Sequence, residues 1–227
     1  MKRCAVILAR GGSKGIPRKN LQELNGRALV WYPISAALGA EEIGSEDVYV
    51  STDDQEIAKF ARHHGAKVID RPEQISGDLN TDWEAMRHFL GVVHADYDYI
   101  VHLRPTFPCI TSFHVDQACR QFEDSYDGYD SLRSVVRTKH TPYKMWHIDD
   151  HGRLVSIVAG NTLHSSPRQI IPPAYEQNAA IDIVKSWVVV NLRSMTGDRI
   201  MPYLMKEGDD GIDIDTWDDL QRMGSDD

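Results

Sequence analysis

Apolar and polar positions along this chain follow two alternating rhythms. Short runs rich in apolar residues, Ala5 to Leu8, Asp47 to Val50, Lys67 to Ile69 and Tyr99 to Leu103, read as strands. Between them the apolar positions recur at helical spacing, over Arg27 to Leu38, from Ser51 or Thr52 to about His64, over Thr81 to Val93 and over Ser112 to Phe122. Pro33 falls where the first turns of a helix tolerate it. Ser51 or Thr52 is suited to cap the second helix and Gly65 to stop it. The strand rhythm returns at Ala180 to Val184, at Trp187 to Asn191 and at Gly211 to Asp215, before a short helix from Thr216. This order predicts an α/β fold, a mostly parallel twisted sheet flanked by helices.

From about residue 137 to 174 the rhythm breaks. Pro142, Pro167, Pro172 and Pro173 punctuate it, and Asp149-Asp150-His151-Gly152 reads as a turn, so an inserted hairpin or arm is expected. Tyr143, Met145 and Trp146 are residue types that favour interfaces, which suits a homodimer arm. The length of 227 residues allows one sizeable core, and residues 1–227 are read as a single domain carrying that arm.

Composition narrows the function. The net charge of −9, with no basic stripe to offset it, disfavours nucleic acid as a partner. No apolar run reaches membrane-spanning length, so no membrane partner is expected. The apolar stretch before Arg10 is too short for a signal peptide, and Cys4, Cys109 and Cys119 have no disulfide or zinc spacing. A cytoplasmic protein with small buried thiols is the reading.

In ligand-binding parallel sheets the loops after the strands carry the chemistry. Arg10 to Asn20, Ser51 to Asp54 and Arg104 to Pro108 are those loops. The first holds Gly11, Gly12 and Gly15, which free backbone N–H groups to converge on an anion, and four cations, Arg10, Lys14, Arg18 and Lys19. Ser13 adds a hydroxyl donor. The composition suits a triphosphate but matches neither G-x-x-x-x-G-K-[ST] nor G-x-G-x-x-G. Near the other end, Asp213 and Asp215 alternate with Ile212 and Ile214, so on a strand both carboxylates share one face. That spacing suits Mg²⁺ held with nucleotide phosphates, although Asp209 and Asp210 lie nearby. Asp218 and Asp219 read as first-turn charges of the last helix. His63 and His64 read as helix-end residues and His102 as a polar strand residue, so no histidine stands out as a base.

The stretch Ile7-Leu8-Ala9-Arg10-Gly11-Gly12-Ser13-Lys14-Gly15-Ile16-Pro17-Arg18-Lys19-Asn20-Leu21 resembles the signature loop of the acylneuraminate cytidylyltransferases, the CMP-sialic acid synthetases. Asn25-Gly26-Arg27-Ala28-Leu29 is similar to the segment that follows it there, with Ala28 in place of a proline. Val50-Ser51-Thr52-Asp53, Arg71-Pro72, Pro105-Thr106-Phe107-Pro108, Pro142-Tyr143, Pro167-Arg168-Gln169, Gln177-Asn178-Ala179-Ala180-Ile181 and Ile212-Asp213-Ile214-Asp215 continue the likeness in the family's order. The resemblance implies a Rossmann-like nucleotidyltransferase fold with a dimerisation arm, and an enzyme forming a CMP-activated acidic sugar from CTP. It also implies roles: Arg10, Ser13, Lys14 and Lys19 on the triphosphate, Asn20 and Arg71 on the nucleotide, Asp213 and Asp215 on magnesium. Arg10, Lys19 and Asp215 would be the residues closest to catalysis.

Three positions facing the acceptor depart from the pattern. Arg104 stands where the sialic acid enzymes carry Gln, Asp182 where they carry Tyr, and Asp82 follows Thr81 where small hydroxyl residues are usual. Arg168 is retained and could grip an acceptor carboxylate. Arg104 with Arg168 would suit a more anionic acceptor, while Asp182 could pair with an amine or neutralise Arg104. The acceptor is therefore either a nonulosonate such as sialic acid, another 2-keto-3-deoxy sugar acid or an aminophosphonate. A transferase using another nucleotide, and a non-catalytic nucleotide-binding protein on the same fold, complete the alternatives.

Overall fold

A computed structural model describes residues 1–206 and 211–224; Asp209 and Asp210 of the acidic cluster noted above lie outside the described residues. A seven-stranded sheet runs in the order β11-β7-β10-β6-β1-β4-β5. Its strands are β1 (Arg3–Leu8), β4 (Val48–Thr52), β5 (Lys67–Asp70), β6 (Tyr99–Leu103), β7 (Ser131–Arg137), β10 (Tyr175–Lys185) and β11 (Ile200–Leu204). β1 pairs in parallel with β4 and β6, β4 with β5 and β7 with β11, while within this sheet β10 runs antiparallel to its neighbours β6 and β7. The mostly parallel sheet expected from the sequence is therefore present.

Alternation along the strands builds a core on each face. Ala5, Ile7, Val50, Val101 and Leu103 pack under the helices α1 (Trp31–Leu38), α2 (Gln55–His63) and α4 (Ser112–Asp124). Cys4, Val6 and Ile100 pack on the other face against Met86 and Phe89 of α3 (Asp82–Val92). Both faces being covered explains why these strands read as nearly continuous apolar runs. A third cluster, Ile16, Leu24, Leu29, Ile214 and Leu220, ties the first loop to the C-terminal segment and to α5 (Trp217–Gly224).

Several local readings change. Ser51 and Thr52 lie within β4, and the cap of α2 is Asp54, whose carboxylate accepts from the N–H groups of Glu56 and Ile57. Val188–Leu192 forms a π-helical turn instead of a strand, and the Trp83 indole donates to the Val189 carbonyl at 2.8 Å. Residues 211–215 form no strand, yet Ile214 is buried and Asp213 and Asp215 are exposed, so the predicted alternation holds without the ladder. β7 and β11 were not legible, because β7 mixes apolar with polar and charged residues and β11 carries Pro202 at its centre. The inserted segment contains the two-stranded hairpin β8 (Trp146–Ile148) and β9 (Leu154–Ser156), hung between β7 and β10. β2 (Glu23–Leu24) and β3 (Arg27–Ala28) form a second small ribbon before α1. No helix among the described residues is long and apolar enough to cross a membrane.

Candidate active site

Parallel strands deliver the loops after β1, β4 and β6 to one edge of the sheet, as their register requires. The loop after β1 is clamped at several points. The Ala9 N–H donates to the Ser51 carbonyl at 3.0 Å and the Gly11 N–H to Asp53 at 2.9 Å. Buried Asn20 donates from its side-chain amide to the Arg10 carbonyl at 2.8 Å, tying the two ends of the loop together. Glycine is needed for close approach at two positions. A Cβ on Gly15 would stand 2.5 Å from the Asp215 carbonyl oxygen, and one on Gly11 would stand 2.8 Å from Asp54. Arg18 takes a left-handed conformation, φ 53°, which disfavours a side chain. Its guanidinium is held by both oxygens of Asp54, at 3.0 and 2.9 Å, and by Glu56 at 2.8 Å.

The other loop cations are also paired. Arg10 and Lys14 meet the two oxygens of Asp78 at 3.1 and 2.9 Å, and these contacts, Lys14 first, hold the Asp78 carboxyl below its ordinary range. The Lys19 ammonium donates to the Ile214 carbonyl at 2.9 Å and to Asp215 at 2.8 Å, bridging the loop to the C-terminal acidic pair. The Ile214 N–H donates in turn to the Thr106 carbonyl at 2.8 Å. Partial burial, reinforced by the charge of Asp215, raises the Asp213 carboxyl above its ordinary range. Asp213 and Asp215 offer hard carboxylate oxygens beside the basic loop, the donor chemistry that Mg²⁺ takes.

The facing wall is set by sheet register. Asp182 of β10 lies opposite His102 of β6 on one side and Arg133 of β7 on the other, so the three side chains share one face in a row. β10 shifts register between Gln177 and Asp182, with Ala179 at φ 60°, and re-enters the ladder at Asp182. Arg104 follows β6 and donates to Asp182 at 2.6 Å and to Asp82, the first residue of α3, at 2.9 Å. Arg133 approaches Asp182 to 3.8 Å and hydrogen-bonds Gln177. His102 is buried, 3.8 Å from Asp182, and neither ring nitrogen has a hydrogen-bond partner. Burial first, then the Arg104 charge, pushes its pKa down to about 4, so the ring is neutral at pH 7.

A cavity of about 170 Å³ lies between loop and wall, lined by Arg10, Ser13, Lys19 and Asn20 on one side and by Asp82, His102 and Arg104 on the other. An adjoining cavity of about 200 Å³ is shared by Arg10, Arg71, Asp78 and Thr81. Arg71 is buried, donates to the Ser51 carbonyl at 2.8 Å, and has its pKa lowered by desolvation. The fold thus gathers Arg10, Ser13, Lys19, Asn20, Arg71 and Arg104 around adjoining cavities, with Lys14 tied in through Asp78 and Asp182 behind Arg104. Arg168 is placed elsewhere: it begins a short helical turn on the inserted segment and lines a different cavity with Arg137, Thr138 and Lys139. The sequence reading singled out the loop that holds Asp54 but gave Asp54 no role, and it missed Asp78 and Arg133 as parts of the site. An acid in each polar connection opposite a basic loop was the available signal for the first two; Arg133 had none, because its strand was not legible.

The sequence profile of the cytidylyltransferase family matches residues 4–182. N-acylneuraminate cytidylyltransferase of Streptococcus agalactiae serotype V (strain ATCC BAA-611 / 2603 V/R) is 28% identical over 220 residues, 97% of this chain and 52% of that protein. N-acylneuraminate cytidylyltransferase A of Danio rerio is 41% identical over 140 residues, 62% of this chain and 31% of that protein. The chain therefore spans about half the length of the streptococcal relative and under a third of the fish one. Among solved structures, that of CMP:2-keto-3-deoxy-manno-octonic acid synthetase complexed with CTP superposes with a TM-score of 0.71 at 15% identity, over 99% of this chain and 98% of the other. The likeness at that identity is one of fold, and it identifies the architecture as the Rossmann-like one of nucleotidyltransferases.

Proposed function

The chain belongs to the cytidylyltransferase family, and from that premise we propose that it transfers CMP from CTP to a hydroxyl of an acidic sugar, an N-acylneuraminate or a related 2-keto-3-deoxy sugar acid, releasing pyrophosphate. The observation that carries this reading is the pair of adjoining cavities, in which a clamped basic glycine loop faces a polar wall. The same fold is seen in the synthetase solved with CTP.

The reaction is a displacement at the α-phosphorus. The acceptor hydroxyl oxygen forms the new P–O bond, the bond to the bridging oxygen of the β-phosphate breaks, and the hydroxyl proton leaves to solvent. Arg10, Ser13, Lys14 and Lys19 hold the triphosphate, and Asn20 ties the loop's two ends through its bond to the Arg10 carbonyl. As the phosphates arrive they replace Asp78 and Asp215 as partners of Arg10, Lys14 and Lys19. Preorganised cations of this kind stabilise charge developing on the leaving pyrophosphate. Arg71, in the adjoining cavity, meets the nucleoside end. Asp213 and Asp215 would hold Mg²⁺, which supplies charge neutralisation at the phosphates when bound.

Residues 1–227 act as one domain, and the segment from about 137 to 174 is a dimerisation arm. The apolar side chains it exposes, Trp146, Ile148, Leu154 and Val155, support a homodimer. In such a dimer Arg168, remote from its own cavity, would serve the partner's acceptor site. A cytoplasmic setting agrees with Cys4, Cys109 and Cys119 forming no disulfide among the described residues.

The test is pyrophosphate release with CTP and Mg²⁺ across N-acetylneuraminate, other nonulosonates, 3-deoxy-manno-octulosonate and 2-aminoethylphosphonate. Release with a sugar acid is expected, and ATP, GTP and UTP should not replace CTP. No release with any sugar acid would exclude the reading.

A further inference from the structure

Asp213 and Asp215 sit on a segment that belongs to no strand, so no ladder holds them in place. The residue between them and the head of α5 do so instead. The Ile214 side chain is fully buried with Ile16, Leu24, Leu29 and Leu220. Its N–H donates to the Thr106 carbonyl at 2.8 Å and its carbonyl accepts from Lys19 at 2.9 Å, which ties one residue to the loops after β6 and β1. The Asp215 carbonyl lies against Gly15, where a Cβ would stand 2.5 Å away. Thr216 and Asp219 then form a reciprocal pair. The Asp219 N–H donates to the Thr216 hydroxyl oxygen at 3.2 Å, while the Thr216 N–H and hydroxyl donate to Asp219 Oδ2 at 2.8 and 2.7 Å. That is a capping box, in which the acidic side chain ordinarily reaches back to the N-cap residue. Here the same Oδ2 also accepts from the N–H of Asp215, at 3.2 Å. Asp219 reads in the sequence as a first-turn helix charge, and the fold adds this second contact, on a proposed metal ligand.

Resting on the reading of Asp213 and Asp215 as the Mg²⁺ ligands, we infer that Ile214 and Asp219 are positioning residues that set this pair before metal and nucleotide arrive. Ile214 plugs the segment into the apolar cluster and ties its main chain to both neighbouring loops. Asp219 holds the main chain of Asp215 from the helix side and leaves the Asp215 carboxylate to Lys19 in the free protein. A binding group that is already ordered loses less conformational freedom when its ligand arrives, and that saving appears as affinity. The charge of Asp219 is not required for this role. All three protons converge on one oxygen, and an amide oxygen accepts hydrogen bonds at the same position.

The experiment measures CTP binding to the full chain by calorimetry without acceptor, once with Mg²⁺ and once with EDTA. The readout is the gain in affinity that Mg²⁺ brings, the ratio of the two Kd values. Asp219→Ala should lower that gain by about 3- to 10-fold, the cost of ordering one or two side chains at binding. Asp219→Asn, which keeps the acceptor oxygen and drops the charge, should keep the gain near that of wild type. Ile214→Val trims the plug by a single carbon and should lower the gain by a smaller factor; it decides the matter should Asp219→Ala fail to fold. A merely structural role would weaken CTP equally with and without Mg²⁺ and leave the ratio at its wild-type value. An unchanged ratio in Asp219→Ala, or in Ile214→Val where that variant decides, overturns the inference. So does an Asp219→Asn gain that falls as far as that of Asp219→Ala, since Asp219 would then act through its charge. No gain from Mg²⁺ in wild type overturns the metal reading and this inference with it, while pyrophosphate release remains the separate measure of the transferase.

Discussion

The glycine-rich loop and the wall across the cleft both pair arginine or lysine with carboxylate, but they do so in different surroundings. In the loop two pairs keep one partner open to water: Lys14, 81% exposed, on Asp78, and Asp215, 71% exposed, on Lys19. Exposed pairs of this kind are worth at most about 1 kcal/mol, so an incoming polyanion exchanges with them at little cost. In the wall Asp182 is enclosed, and its pairing with Arg104 is part of the folded structure. A buried pair contributes little over an apolar replacement, yet breaking it is costly. One region is charged for exchange, the other for position.

The contrast breaks most visibly at Asp182. Asp182→Ala leaves Arg104 and Arg133 without their shared partner and should cost about 3–5 kcal/mol of stability, read by urea unfolding. Next comes Asp215→Ala, where the reverse pattern is expected. Turnover should fall by about 10²–10³-fold, as for loss of a group that stabilises transition-state charge, while the unfolding midpoint stays near that of wild type because the side chain is exposed. Wild-type turnover in this variant would remove Asp215 from the metal assignment.

A pH experiment sharpens the comparison from the wall side. His102 faces Asp82 from α3, Arg104 after β6, Asp182 from β10 and Arg133 from β7, and its pKa falls from 6.5 to about 4 on folding. Between those values the unfolded chain binds more protons than the folded one, so stability rises with pH. It is fully present above about pH 6.5 and is lost as pH falls toward 4. About 1–2 kcal/mol should disappear between pH 7 and pH 5. His88, also lowered by burial, acts in the same direction, so the contribution is read as the difference in slope between wild type and His102→Gln. Identical slopes would show that His102 is not held neutral. The smallest effect is expected at Asp78. Asp78→Asn removes the internal anion that shares Arg10 and Lys14, and KM for CTP should fall a few-fold. A higher KM would mean that Asp78 orients these cations instead of competing for them.

Much of this was legible beforehand. The four strands β1, β4, β5 and β6 and the helices between them follow from periodicity, because a sheet covered on both faces demands contiguous apolar runs. The loop was legible from composition, since glycines and cations must be contiguous in sequence to converge on one anion. The Asp213–Asp215 alternation was legible as a pattern and misread as a strand; burial of Ile214 against Ile16 and Leu29 fixes the alternation without a ladder partner. The Trp187 to Asn191 run was misread because an apolar stretch of that length looks alike in a strand and in a buried turn.

The sequence by itself determined the α/β class, the anion-binding loop and part of the site's charges, Asp78 and Arg133 excepted. Those are local properties, set by spacing along the chain. Which charge meets which was decided only by the tertiary structure. Arg104 reads in the sequence as a cation that Asp182 could neutralise or leave to the acceptor, and the two pair because β10 runs antiparallel between β6 and β7 and shifts register to set Asp182 beside His102 and Arg133. Asp82 comes to Arg104 from the start of a helix 22 residues away, and Asp78 reaches Arg10 across the same cleft. The net charge of a site is a sum over neighbours in space, and strand register, which no local pattern encodes, chooses those neighbours.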